Sequence, residues 1–123
     1  MALVEKKNFE VYNSVYESMD DAHEFPNTNL VRLEKWFLRN KNNNKVLDYG
    51  FGYGENSIFL SSKGYKVFGT EISKNVISFL RKKLKKKNIN NIKLLHINEK
   101  MNKLPFKDNY FDSIVCLGVI QYL

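Results

Sequence analysis

The stretch Lys45-Val-Leu-Asp-Tyr-Gly-Phe-Gly-Tyr-Gly-Glu55 decides the fold, because a short apolar run closes on an acid and then passes into three alternating glycines. The pattern predicts a strand over Lys45–Tyr49 that empties into a ligand-binding turn. Gly50, Gly52 and Gly54 carry no Cβ, so the backbone there can take positive φ and come close to a bound molecule. Behind them, Glu55–Ser62 reads as a helix whose first N–H groups face the same spot. Gly64 suits its C-terminal cap.

Upstream of the turn, residues 9–19 read as a helix and 20–26 as irregular. Thr28 is expected to cap a second helix carrying Leu30, Leu33, Trp36 and Phe37 inward, followed by the polar loop Lys41-Asn-Asn-Asn44. Downstream, a second strand over 65–70 ends at Glu71. Ser73 then caps a helix whose apolar stripe is Val76, Ile77, Leu80 and Leu84. Residues 92–97 and 110–117 read as the third and fourth strands. Strands alternating with helices indicate an α/β fold, a doubly wound and mostly parallel sheet with helices on both faces. In such a sheet ligands lie beyond the carboxyl ends of the strands, near the point where strand order reverses. The glycine turn, Glu71, residues 97–100 and residues 117–121 all fall at that edge.

With 123 residues the chain forms one domain, and 43% hydrophobic against 27% charged residues marks it as globular. No apolar run approaches the roughly 18 residues of a membrane span, and Met-Ala-Leu-Val-Glu-Lys-Lys at the start has no signal-peptide core. A cytoplasmic protein without a membrane partner is expected. The single cysteine, Cys116, excludes an internal disulfide and any multi-cysteine metal site. Its apolar setting, Ser113-Ile-Val-Cys-Leu117, reads as a structural thiol. The net charge of +7 is mostly lysine, densest in Arg81-Lys-Lys-Leu-Lys-Lys-Lys87, where it reads as the solvated face and last turn of a helix. Arginine, the better reader of phosphate and guanine, occurs only as Arg32, Arg39 and Arg81, which weighs against nucleic acid.

Spacing narrows the ligand. A dinucleotide fingerprint starting at Gly50 and Gly52 needs a third glycine where Glu55 stands. Gly64 and Gly69 have the gap of a phosphate loop but are followed by Thr70-Glu71 in place of Lys and Ser/Thr. Glu71 closes the second strand about twenty residues after the turn, where a carboxylate can accept from both hydroxyls of a ribose. Asp48, at the end of the first strand, either anchors the turn's amides or accepts from a ligand's ammonium.

Val46-Leu-Asp-Tyr-Gly-Phe-Gly-Tyr-Gly54 resembles the first motif of class I S-adenosylmethionine-dependent methyltransferases. Three further stretches agree. Gly64-Tyr-Lys-Val-Phe-Gly-Thr-Glu-Ile-Ser73 is similar to the second strand with its ribose-binding acid. Leu104-Pro-Phe-Lys-Asp-Asn-Tyr-Phe-Asp-Ser-Ile-Val-Cys-Leu-Gly118 is similar to the segment into and through the fourth strand. Glu24-Phe-Pro-Asn27 resembles the approach region of the small-molecule branch. The likeness runs from about Tyr12 to Leu123.

The resemblance implies a Rossmann-like fold with residues 1–44 as a helical cap region and 45–123 as the N-terminal half of the cofactor-binding domain. It implies that Asp48 and Gly50 meet the amino acid end of S-adenosylmethionine, with Gly52 and Gly54 allowing close backbone approach. Glu71 would hold the ribose, Ile72 would pack on adenine, and Asn98 or Glu99 would neighbour its amino group. Leu117 and Gly118 would line the methionine side, and Tyr12 and Tyr16 would cover the cofactor. Phe51 and Tyr53 stand where the family often has smaller residues, so their rings either face the sulfonium or pack.

Methyl transfer from a sulfonium needs positioning more than an acid–base pair, in keeping with His23 and His96 forming no constellation with Cys116 or a serine. His23 is either a surface residue or a base that reaches the acceptor. The resemblance implies a seven-stranded sheet, so this chain reads as truncated after its fourth strand, whose open apolar edge would allow self-association. The expected partner is a small-molecule methyl acceptor. The alternative is a non-catalytic nucleoside-binding or protein-interaction module on the same fold.

Overall fold

The computed structural model describes residues 25–39, 44–98, 100, 101 and 103–117. The expected first helix, Tyr12, Tyr16, His23, Glu99 and Gly118 lie outside them.

Helix α1 spans Thr28–Leu33 and continues as a π-helical turn over Glu34–Leu38. Its cap is Asn27, one residue before the expected Thr28. The Asn27 side-chain oxygen accepts from the N–H groups of Asn29 (2.9 Å) and Leu30 (3.3 Å). The N–H of Asn27 itself donates to Asn56 Oδ1 at 2.7 Å, which holds the residue in the extended conformation that a cap needs. The expected inward face is also corrected: Leu30, Glu34 and Leu38 pack inward, while Leu33, Trp36 and Phe37 are exposed. Glu34 decides this, because the Tyr65 hydroxyl donates to its Oε1 at 3.3 Å and turns the four-residue spacing 30/34/38 toward the sheet. The Arg39 N–H donating to the Glu34 carbonyl at 2.8 Å closes the wider turn.

The remaining elements follow the expected alternation. They are β1 (Lys45–Tyr49), α2 (Glu55–Ser62), β2 (Lys66–Glu71), α3 (Lys74–Lys86), β3 (Ile92–His96) and β4 (Ser113–Val115). The strands form a parallel sheet in the order β3-β2-β1-β4, with Val46 opposite both Val67 and Ser113. A reciprocal clamp sets the β1–β4 register: the Lys45 N–H donates to Asp112 Oδ2 and the Asp112 N–H donates to the Lys45 carbonyl, each at 2.8 Å.

Alternation along the strands gives the sheet two different faces. On one, Val46, Val67, Ile92 and Val115 meet Leu60 of α2 and the stripe Val76, Ile77, Leu80 and Leu84 of α3. Ser73 caps α3, its hydroxyl accepting from the Val76 N–H at 3.3 Å. Helix α2 ends in a paired C-terminal motif. The Tyr65 N–H donates to the Leu60 carbonyl (3.2 Å) and the Gly64 N–H to the Ser61 carbonyl (3.0 Å), with Gly64 at φ +87°.

The other face carries Leu47 and Phe68, covered by the rings of Phe106, Tyr110 and Phe111 at centroid distances of 5.4 to 6.0 Å from Phe68. This cluster shortens the fourth strand. Tyr110 and Phe111 fold over the sheet instead of pairing in it, so only Ser113–Val115 of the expected 110–117 joins the ladder. A groove of about 420 Å³ on this face is lined by Leu47, Phe106, Tyr110 and Ile114 among others, and it shares no residue with the glycine turn. Among the described residues β4 ends the strand order, and its Ile114 is 65% exposed.

One packing contact ties the turn to the sheet. The Phe51 ring occupies the space over Gly69, where an added Cβ would stand 2.7 Å from Phe51 Cδ1 and 3.1 Å from Leu94 Cδ2. Gly69→Ala is therefore expected to destabilise the chain by about 1–3 kcal/mol in urea unfolding. Adding Phe51→Leu should restore part of that loss, and an unchanged midpoint for Gly69→Ala would contradict this packing.

Candidate functional site

The turn after β1 lies at the carboxyl edge of the sheet, between β2 on one side and β4 on the other. Strand order reverses here, since chain progression moves outward from β1 through β2 to β3 and then returns to β4 on the opposite flank. The turn's backbone is tied down in succession. The N–H groups of Gly50 (2.8 Å) and Phe51 (3.4 Å) donate to the Thr70 carbonyl, and the Gly54 N–H donates to the Phe51 carbonyl (2.9 Å). Gly50, Gly52 and Gly54 all have positive φ, at 69°, 57° and 82°. The Gly54 carbonyl then accepts from the Ile58 N–H at 2.8 Å, which starts α2.

Glu71 is the acid that organises this edge. Its side chain is buried, with Oε2 accepting from the Gly52 N–H (3.3 Å) and Oε1 from the N–H groups of Ile72 (2.9 Å) and Ser73 (3.4 Å). The carboxylate thus joins the end of β2 to the middle of the glycine turn, and its charge is balanced by backbone dipoles. The Ile97 N–H donates to the Glu71 carbonyl at 3.0 Å, which brings the segment after β3 to the same place.

Asp48 takes another course. Its Oδ2 accepts the Ser57 hydroxyl at 2.6 Å, so among the described residues it anchors α2 and not the amides of the turn. Burial pushes its carboxyl up to about 6; the Ser57 hydroxyl draws it down and the Glu71 charge adds to the rise. Cys116 is half-buried just after β4, and burial together with the Asp48 charge pushes its thiol up, away from a reactive thiolate.

Asp48, Gly50, Phe51, Gly52, Gly54, Glu71 and Ile72, read from the sequence as site residues, are brought together at the β1–β2 edge. Ile72 is half-buried beside Glu71. Asn98 is exposed after β3, where its side chain accepts from the Lys100 N–H (2.9 Å), and Leu117 packs against the core after β4. Phe51 packs over Gly69, and Tyr53 packs edge-on against Phe79 at 5.8 Å, so both rings take the packing alternative. His96 contacts the Ile72 carbonyl through Nε2 at 3.1 Å.

Two side chains here escaped the sequence reading. Ser57, the partner of Asp48, lies in the first turn of α2 and carries no signature beyond that position. Lys83 belongs to the lysine run read as solvated, yet it is buried, pairing with Glu55 and donating to the Tyr53 carbonyl at 3.4 Å. Its place between Leu80 and Leu84 on the inward stripe is the signal that was available. Among the described residues no group of three or more His, Cys, Asp or Glu side chains is placed to hold a metal ion. No helix among them is long and apolar enough to cross a membrane.

A family model described as a methyltransferase domain matches residues 46–123. The probable S-adenosyl-L-methionine-dependent methyltransferase TehB of Haemophilus influenzae is 38% identical over 79 residues, covering 64% of this chain and 26% of TehB. An uncharacterized protein of Methanocaldococcus jannaschii is 31% identical over 119 residues, covering 97% of this chain and 46% of that protein. Among solved structures, a SAM-dependent methyltransferase from Aquifex aeolicus matches with a TM-score of 0.68 at 26% identity, over 85% of this chain and 55% of that one. The crystal structure of Haemophilus influenzae TehB matches with a TM-score of 0.65 at 27% identity, over 89% of this chain and 35% of that one. The chain spans between about a quarter and a half of the length of these curated relatives.

The raised carboxyl of Asp48 makes a pH prediction. Because the folded state binds this proton more tightly than the unfolded chain, whose carboxyl titrates near the ordinary 3.8, ionising Asp48 destabilises the fold. Its contribution therefore falls as pH rises from about 4 to about 6, and the full cost, on the order of 3 kcal/mol, is present above that. Asp48→Asn removes the titration. Unfolding measured from pH 4 to pH 7 should show the variant gaining on the natural chain across this window; a constant difference would refute the assignment.

Proposed function

Because the chain belongs to the methyltransferase-domain family, we propose that its glycine turn and Glu71 bind S-adenosylmethionine, and that the whole protein is a cytoplasmic enzyme transferring the methyl group to a small-molecule acceptor. The observation that carries this reading is the Glu71 carboxylate held against the Gly52 amide at a strand-order reversal. A ribose needs a fixed carboxylate beside a backbone that can approach it closely, and both are built here from one hydrogen-bonded unit.

The residues fit that ligand. The Gly52 N–H bond to Oε2, at 3.3 Å, is longer than the 2.9 Å bond from the Ile72 N–H to Oε1, and a ribose hydroxyl can take it over. Ile72 offers an apolar surface next to the carboxylate for a base. Asp48 supplies negative charge on the β1 side, which favours the ammonium end of the ligand and is in turn drawn back toward its ionised form by that cation. S-adenosylmethionine, when bound, supplies a methyl group already activated by its sulfonium. The chain's part is to hold the donor in line with the acceptor and to keep the site's charges in place.

Calorimetric titration of the chain with S-adenosylmethionine tests this. Binding is expected, and Glu71→Ala should weaken it about ten- to a hundredfold, the range for a hydrogen bond to a charged group. No binding, or binding that Glu71→Ala leaves intact, would favour a non-catalytic module on the same fold.

A further inference from the structure

Helix α3 grips the glycine turn at three successive residues. The Phe79 ring meets Tyr53 edge-on at 5.8 Å. Leu80 closes on Gly54 so tightly that an added Cβ would stand 2.4 Å from its Cδ1. One helical turn further on, Lys83 reaches both sides of Gly54, its Nζ pairing with Glu55 Oε1 and donating to the Tyr53 carbonyl at 3.4 Å. The lysine side chain is 3% exposed and the glutamate 17%.

Taking an ammonium out of water is costly, and a well-packed apolar pair of similar volume generally serves stability as well or better. Stability therefore gives no reason for a buried charge at this position. Geometry does. Tyr53 and Gly54 share one peptide group, whose carbonyl is held by Lys83 on one side and whose N–H is held by the Phe51 carbonyl at 2.9 Å on the other. That peptide lies within a run of positive-φ glycines with many accessible conformations. A flip would break both bonds and would turn the Tyr53 carbonyl toward the carbonyl of Phe51.

We propose that Lys83 and Glu55 form a positioning clasp, which fixes the 53–54 peptide so that the glycine turn is already shaped for its ligand before binding. This rests on the reading of the turn as the S-adenosylmethionine site. In this proposal both residues act through the turn and not by contact with the ligand. Their effect is preorganisation: a turn held in one conformation loses less entropy when the ligand arrives. The clasp also explains Glu55, which stands where a dinucleotide fingerprint would have its third glycine. The carboxylate anchors the far side of the turn instead.

The test is the double variant Lys83→Met with Glu55→Gln, which leaves no unpaired buried charge, beside Leu60→Val as a core variant outside the clasp and Lys83→Arg as the conservative replacement. Two readouts are taken on the full chain: amide hydrogen exchange at Gly52 and Gly54 without ligand, and the dissociation constant for S-adenosylmethionine. In the double variant, exchange at Gly54 should quicken about tenfold relative to Val67 in the sheet and affinity should fall about tenfold. Lys83→Arg should restore much of both, and Leu60→Val should change neither selectively. Natural exchange in the double variant, or affinity falling equally in Leu60→Val, would overturn the clasp. Absence of binding by the natural chain would overturn the site reading alone, since the exchange arm still decides whether Lys83 orders the turn. If the double variant does not fold, Glu55→Asp, which draws the carboxylate back by one methylene, is read by the same two measurements.

Discussion

Leu80 stands where any side chain at residue 54 would have to be, and the backbone at that residue has φ +82°. Both facts require glycine, for independent reasons: one concerns the space between α3 and the turn, the other the direction in which the chain leaves β1. Much of the structure hangs on this close approach. It lets α3 lie near enough for Phe79 and Lys83 to hold Tyr53 and Glu55. It also lets the Gly54 carbonyl begin α2, which carries Ser57 to Asp48.

Three acids are buried among the described residues, and each is accommodated by a different chemistry. Glu71 accepts from three backbone N–H groups at the end of β2, whose dipoles favour its carboxylate. Asp48 accepts from the Ser57 hydroxyl, and burial raises its carboxyl to about 6. Glu34 accepts from Tyr65, and burial with that neighbouring acid pushes the phenol up to about 12. The first two lie at the carboxyl edge of the sheet, and the third holds α1 to the body of the sheet.

What could be read along the chain was local in origin. The alternation of apolar strands with helices, the Ser73 cap, the Gly64 terminus and the stripe Val76, Ile77, Leu80 and Leu84 are each set by residues within a few positions of one another. The acid at Glu71 was legible for the same reason, because its distance from the turn is a property of one βαβ unit. Trp36 and Phe37 misled because apolar character suggests burial, whereas the helix orientation is set by Tyr65 reaching Glu34 from 31 residues away. Tyr110 and Phe111 have strong strand preference, yet Phe68 draws them into an aromatic cluster over the sheet.

The sequence by itself determined the kind of fold, the place of the turn within it and the family to which the turn belongs, since hydrophobic period and glycine spacing are one-dimensional signals. Tertiary structure alone decided how the charges and rings are used. Lys83 is one of many lysines in its run, and only the approach of α3 to Gly54 makes it a buried partner of Glu55. Phe51 could face a ligand or the core, and the absence of a side chain at Gly69, on the neighbouring strand, settles that it packs. Such choices depend on which surfaces meet across the sheet, and that information exists only once strands far apart in the chain have paired.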